Sequence, residues 1–205
     1  DGAVGLWALA SPLLRPKFVG IERADSWSTD AHKWLNTPYD CGIAITAHGD
    51  AHRRALTLRA DYLPEGGEAR NPIDWNPEMS RRARSTAVYA TMRALGRAGI
   101  VEMVERNVEM ARRYAEMLGS QDGVEVLNEV ELNQVLVRFR DRTGEATTHT
   151  PAVLAAVQEW GVAYPTGTVW AGEPAIRISV SNWMTQEADV DRTVEALLAA
   201  HHRLR

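Results

Sequence analysis

The chain has a single cysteine, Cys41, among 205 residues, so no disulfide can form within it and a reducing compartment fits best. Charge of one sign is equally scarce. The net charge is −4 with no long run of either sign, which argues against nucleic acid or an anionic membrane surface as a partner. No apolar stretch approaches the roughly 20 residues that span a bilayer. A charged start followed by an apolar core, the pattern of a secretory signal, is not visible. A cytoplasmic location without a membrane partner is therefore expected. His48, His52 and His149 lack metal-ligand spacing, so no metal site is expected. Gly66-Gly67 does not sit between a strand and a helix with the required further glycines, so it is no nucleotide motif. Internal repeats and low-complexity tracts are also absent.

What is present is ordinary globular composition, 45% hydrophobic and 24% charged. The length suits one large domain or two small ones. Asp1-Gly2-Ala3-Val4-Gly5 reads as the end of a strand entering a glycine-rich turn, with no strand before it, and the expectation is that an N-terminal part is missing. Residues 24–29 alternate as a strand, and Cys41–Thr46 reads as a short apolar strand after the Pro38-Tyr39-Asp40 turn. His52–Leu58 reads as a brief helix or strand. Residues 61–77 read as a long, mobile loop rich in Pro, Gly, Glu and Asn. Residues 78–118 are helical, with a bend at Gly96 and Gly99 between two apolar stripes. Strand-like runs follow at Val124–Leu127 and Gln134–Phe139. A helix is expected from Thr150 as N-cap with Pro151 at N1, then a turn at Gly167–Trp170 and a strand at Ala175–Val180. Thr185 opens a last helix ending in His201, His202, Arg203 and Arg205, basic residues that suit a helix C-terminus. Trp7, Trp27, Trp75, Trp160 and Trp183 read as packing residues.

The most informative segment is Ala24-Asp25-Ser26-Trp27-Ser28-Thr29-Asp30-Ala31-His32-Lys33-Trp34. A strand runs into a turn that holds a lysine between a histidine and a tryptophan. Aromatic surface around an amine disfavours its ammonium form, and only the neutral amine attacks a carbonyl. Together with Leu35-Asn36-x-Pro38-Tyr39-Asp40-Cys41-Gly42, this segment resembles the group II pyridoxal-phosphate (PLP) amino-acid decarboxylases.

That resemblance implies an α/β fold of the PLP-dependent transferase type (fold type I). Residues 1–95 would be the later part of the large, mainly parallel-sheet PLP-binding domain, and 96–205 a small α+β C-terminal domain. It implies Lys33 as the Schiff-base lysine and Asp1, in an Asp-x-Ala turn, as partner of the pyridine nitrogen. Ala3 would pack on the ring, and His32 would lie near the cofactor phosphate or the lysine. Asp30 stands where many relatives carry Asn, and a carboxylate there would repel the phosphate. Tyr62, opening Tyr62-Leu63-Pro64-Glu65-Gly66-Gly67, matches a loop tyrosine that protonates Cα after CO2 leaves. Arg81, Arg82 and Arg84 match a run near the domain junction and dimer contact, read first as ion-pair residues. Arg177 is open between carboxylate binding and a structural role. The implied activity is α-decarboxylation of an amino acid by a homodimer with its site at the subunit interface. The alternatives are an aminotransferase or carbon–sulfur lyase of the same fold, or a catalytically incomplete dimerisation module. The substrate itself cannot be read from these residues.

Overall fold

The computed structural model describes residues 1–58 and 70–205. They divide into two compact units, Asp1–Gly96 and Arg97–Arg205. No helix among the described residues is long and apolar enough to cross a membrane.

The first unit begins with turns and short 3-10 helices at Leu6–Ala10, Arg15–Phe18 and Ile21–Arg23 rather than with the end of a strand. Two strands follow, β1 (Ser26–Asp30) and β2 (Gly42–Thr46), paired antiparallel with Ser28 opposite Ala44. Their faces are mostly exposed; Thr29 is the one buried residue of β1. Next come helix α1 (Gly49–Leu56), a 3-10 turn at Pro72–Asp74, and the start of a long helical run, α2 (Ser85–Gly119). That run is broken at Gly96, whose φ of 62° and ψ of −175° suit only glycine and mark the division between the units. Arg81, Arg82 and Arg84 lie just before the first residue of α2, at its positive end, and Arg84 there is paired with Asp40 and Glu78.

The second unit holds the rest of α2, followed by β3 (Val124–Val126), β4 (Gln134–Phe139), α3 (His149–Glu159), β5 (Thr166–Trp170), β6 (Glu173–Ser179) and α4 (Glu187–Leu204). Its sheet is antiparallel in the order β3-β4-β6-β5. Period-2 alternation buries Val135, Val137 and Phe139 of β4 beside Ile176 and Ile178 of β6. Helical spacing brings Ala111 and Leu118 of α2, Val153 and Val157 of α3, and Val190, Val194 and Leu197 of α4 onto the same core.

Several local expectations are corrected. Thr150 does not cap α3. Its hydroxyl accepts from Phe139 N–H at 3.0 Å and donates to Phe139 O at 2.7 Å, tying the helix to the end of β4. The Thr148 N–H and hydroxyl instead turn to Glu145. Helix α4 starts after Gln186, whose N–H donates to Asp189 Oδ2 at 3.0 Å, rather than at Thr185. Gly167–Trp170 is not a turn but part of the edge strand β5, because the bend lies at Ala171-Gly172 between β5 and β6. Trp160 and Trp183, read as packing residues, are exposed, as is Trp170 on β5.

Candidate active site

The candidate residues of the first unit lie on two segments that the fold joins. Gly2 N–H donates to Ser28 O at 2.6 Å, and the Thr29 hydroxyl donates to Gly2 O at 3.1 Å. The Trp34 indole N–H reaches Val4 O at 2.6 Å, and that of Trp7 reaches Asp30 O at 3.1 Å. The opening turn is thus fastened along the strand that leads to Lys33. Position 2 must be glycine for this approach: a Cβ there would lie 2.7 Å from Leu6 Cβ and 2.9 Å from Ser28 O. Within the turn, Asp1 is exposed, its Oδ1 accepts from Ala3 N–H at 2.8 Å, and Ala3 is buried.

After Asp30 the chain loops out and returns as β2. Ala31 N–H donates to Cys41 O at 3.1 Å and closes the neck of the loop. Asn36 adopts a left-handed φ of 52°, and its side-chain amide donates to Lys33 O and Trp34 O at 2.8 and 2.9 Å. Lys33 Nζ lies 2.9 Å from Asp30 Oδ2, and the same oxygen is 3.8 Å from His32 Nε2. The His32 ring stacks on Tyr39 at 4.1 Å between centroids. His32 Nδ1 is buried with no hydrogen-bond partner among the described residues, as is Thr37 Oγ1 in the same loop.

The expected wrapping of the lysine by aromatic surface is therefore corrected. The Lys33 side chain is 41% exposed and ion-paired, whereas Trp34 is buried and spends its indole N–H on Val4. Successive residues of the loop face different surroundings, so sequence neighbours are not spatial covers.

Beside this loop, Asp40 grips Arg84 through two bonds of 2.7 and 3.3 Å, and Glu78 joins at 3.4 Å. The Arg84 guanidinium holds the Asp40 carboxyl below its ordinary range, and Asp40 in turn raises Arg84. Arg81 donates to Glu78 O at 3.1 Å. Tyr62 lies outside the described residues. Arg177 sits in the second unit on the exposed side of β6, opposite Leu136 and Thr166. Sequence reasoning read Arg84 as an ion-pair residue but missed its partner Asp40, and it missed Thr29 and Tyr39. Thr29 had a signal, as the polar residue one step from the lysine turn in an alternating strand. Asp40 and Arg84 are too far apart in the chain for any local pattern to join them.

The model of the pyridoxal-dependent decarboxylase conserved domain matches residues 1–141. The chain belongs to the pyridoxal-dependent decarboxylase family. This family member is 28% identical over 194 residues to 4-hydroxyphenylacetaldehyde synthase of Rhodiola rosea, a match covering 93% of the chain and 40% of that relative. To tryptophan decarboxylase 1 of Oryza sativa subsp. japonica it is 30% identical over 205 residues, covering 93% of the chain and 39% of the relative. The crystal structure of Oryza sativa TDC with PLP and tryptamine matches with a TM-score of 0.90 at 24% identity, over 98% of this chain and 43% of that one. That likeness establishes the fold, the mixed α/β fold of PLP-dependent decarboxylases. The chain spans about two fifths of the length of the curated relatives it matches.

Proposed function

We propose that this decarboxylase-family chain takes part in the PLP-dependent α-decarboxylation of an amino acid. The observation that carries the reading is the fastening of the Asp1-Gly2-Ala3 turn to the strand of Lys33, through Gly2 to Ser28 and Thr29. It supplies an amine and a carboxylate from adjacent segments, as this chemistry requires.

The donor set suits pyridoxal phosphate. Lys33 offers a primary amine for its aldehyde carbon, Asp1 an exposed carboxylate for its ring nitrogen, and Ala3 a small side chain for its ring face. His32 Nδ1, buried with no partner among the described residues, is an unsatisfied group of the kind that the cofactor's hydroxyl satisfies, whereas the Asp30 carboxylate near His32 Nε2 disfavours a phosphate beside this ring. When bound, the cofactor supplies a protonated ring that accepts the electron pair left on Cα as CO2 departs. Asp1 keeps the ring nitrogen protonated by placing negative charge beside it. Tyr62, by resemblance on a loop from the neighbouring subunit, delivers one proton to Cα and limits the access of water. Arg84, neutralised by Asp40, acts in this reading as structure rather than as a substrate contact. Arg177 remains a candidate for the substrate carboxylate. A homodimer with a shared site and a cytoplasmic location belong to the same reading, and the tryptophan decarboxylase among the relatives supports an aromatic amino acid as substrate.

The complete gene product, incubated with pyridoxal phosphate and reduced with borohydride, is expected to trap the cofactor on Lys33. Lys33→Ala abolishes both the adduct and CO2 release, and CO2 release that survives this substitution overturns the reading. Tyr62→Phe is expected to lower amine formation by about 100-fold. Unchanged turnover in that variant would favour an aminotransferase or carbon–sulfur lyase of the same fold. A specific second outcome comes from the 4-hydroxyphenylacetaldehyde synthase relative. An aldehyde instead of an amine as the product, still dependent on Lys33, would assign that chemistry.

A further inference from the structure

Thr29 carries a demand that its role as a strand residue does not explain. It is the one inward residue of β1, only 5% exposed, at a position that an apolar side chain would ordinarily fill. A buried hydroxyl must find an acceptor, and this one donates to the Gly2 carbonyl at 3.1 Å. The other side of the same residue is committed too, because Gly2 N–H donates to Ser28 O at 2.6 Å. The Gly2 N–H is therefore held by β1 through Ser28, and the Gly2 carbonyl is shared between the Thr29 hydroxyl and the Leu6 N–H at 3.0 Å, so that the Thr29 bond is the one that ties this carbonyl to the strand. Asp1 precedes Gly2 directly, and its Oδ1 is turned back onto Ala3 N–H at 2.8 Å. The Asp1 carboxylate is thus attached to a turn that is bonded at Gly2 and at Ala3.

We propose that Thr29 is a positioning residue for Asp1: by gripping the Gly2 carbonyl, its buried hydroxyl ties the carboxylate that faces the cofactor ring to the strand that delivers Lys33. This inference rests on the functional reading above. A carboxylate acts on a ring nitrogen in proportion to its proximity, so a loosened turn weakens that action without removing any group that touches the cofactor.

The test compares Thr29→Val, Thr29→Ser and Asp1→Asn in the complete gene product. Two quantities are read: the dissociation constant for pyridoxal phosphate, and the absorption maximum of the bound cofactor, which responds to protonation of its ring nitrogen. Thr29→Val keeps shape and removes the donor. It is expected to weaken binding about tenfold and to displace the maximum in the direction produced by Asp1→Asn. Thr29→Ser, which keeps the hydroxyl, restores both. If Thr29→Val does not fold, Gly2→Ala displaces the same turn from the other side, through the clash with Leu6 and Ser28, and is expected to move the maximum in the same direction. A normal maximum in Thr29→Val, whether or not binding weakens, overturns the proposal when Asp1→Asn shifts it. An adduct that persists in Lys33→Ala overturns the functional reading instead, and an unsubstituted protein that binds no cofactor overturns both.

Discussion

From Met110 to Ala200 the second unit buries a continuous apolar cluster in which Leu118, Phe139, Ile176 and Leu197 have no exposed surface. Among the described residues of the first unit there is no comparable cluster. Both faces of β1 and β2 are largely open, and its buried residues are scattered: Ala8, Leu14, Trp34, Leu35 and Val88 among them. Yet the first unit carries Asp1, His32 and Lys33. Its order comes from directional bonds, Trp7 to Asp30, Trp34 to Val4, Thr29 to Gly2 and Asp40 to Arg84. The contrast is physical. Apolar burial is non-directional and stabilises a unit as a whole, whereas hydrogen bonds fix particular atoms at particular places. In the first unit, bonds of the second kind hold the turn of Asp1 and the loop of Lys33 in register.

The contrast can be broken from either side. Leu197→Ala is expected to produce the largest loss of stability, about 2–5 kcal/mol, read by denaturant unfolding of the second unit. An equal loss from a core substitution in the first unit, such as Leu35→Ala, would erase the distinction. Trp34→Phe is the complementary change. It keeps most of the ring volume but leaves the Val4 carbonyl without its donor, a cost of about 1–3 kcal/mol. Its effect is expected to appear as faster hydrogen exchange at Gly2 and Ala31, with β4 and α4 unaffected.

The smallest effect is a dependence on pH, and it sharpens the comparison because the units respond in different windows. In the second unit, His149 Nε2 and His201 Nδ1 are 2.9 Å apart and buried, and His201 Nε2 donates to Asp122 O at 3.1 Å. Burial holds His201 below its ordinary value of 6.5, and His149, Arg205 and His202 act in the same direction. Arg205 is itself paired with the Asp122 carboxylate, and Asp141 is the acidic group that senses His149. The folded state therefore binds fewer protons than the unfolded chain. This contribution to stability is complete above the ordinary histidine value and is lost as pH falls below it. Asp40, lowered by Arg84, contributes stability that is complete above the ordinary carboxylate value of 3.8 and is lost only as pH falls through that region. Taking the protein from about pH 7.5 to about 5 is thus expected to lower intrinsic-rate-corrected exchange protection in α4 and β4 while sparing Ala31 and β2. A uniform response in both units would remove the assignment to His201.

Much of the second unit was legible because its signals are local. The alternation of Gln134–Phe139, the helical stripe through Val104, Val108, Ala111 and Leu118, and the glycine at the break of α2 each follow from the side chains themselves. Local rules failed where a side chain had a better distant partner. Thr150 with Pro151 is a sound N-terminal signal, but its hydroxyl is drawn to Phe139. The aromatic neighbours of Lys33 looked like its cover, but Trp34 is turned inward to Val4 and His32 is stacked on Tyr39.

By itself, the order of residues determined the helices of the second unit, its strands other than the edge strand β5, and the presence of Lys33 in a loop after a strand, because backbone preference and apolar period act over a few positions. It also carried family membership, through a motif whose members are close together in the chain. Only the tertiary structure decided that the Asp1 turn is fastened to Ser28 and Thr29, that Asp30 pairs with Lys33, and that Asp40 holds Arg84. Hydrogen bonds and ion pairs are short-ranged and directional. Which donors and acceptors meet is settled only when the folded backbone brings them within about 3 Å of each other.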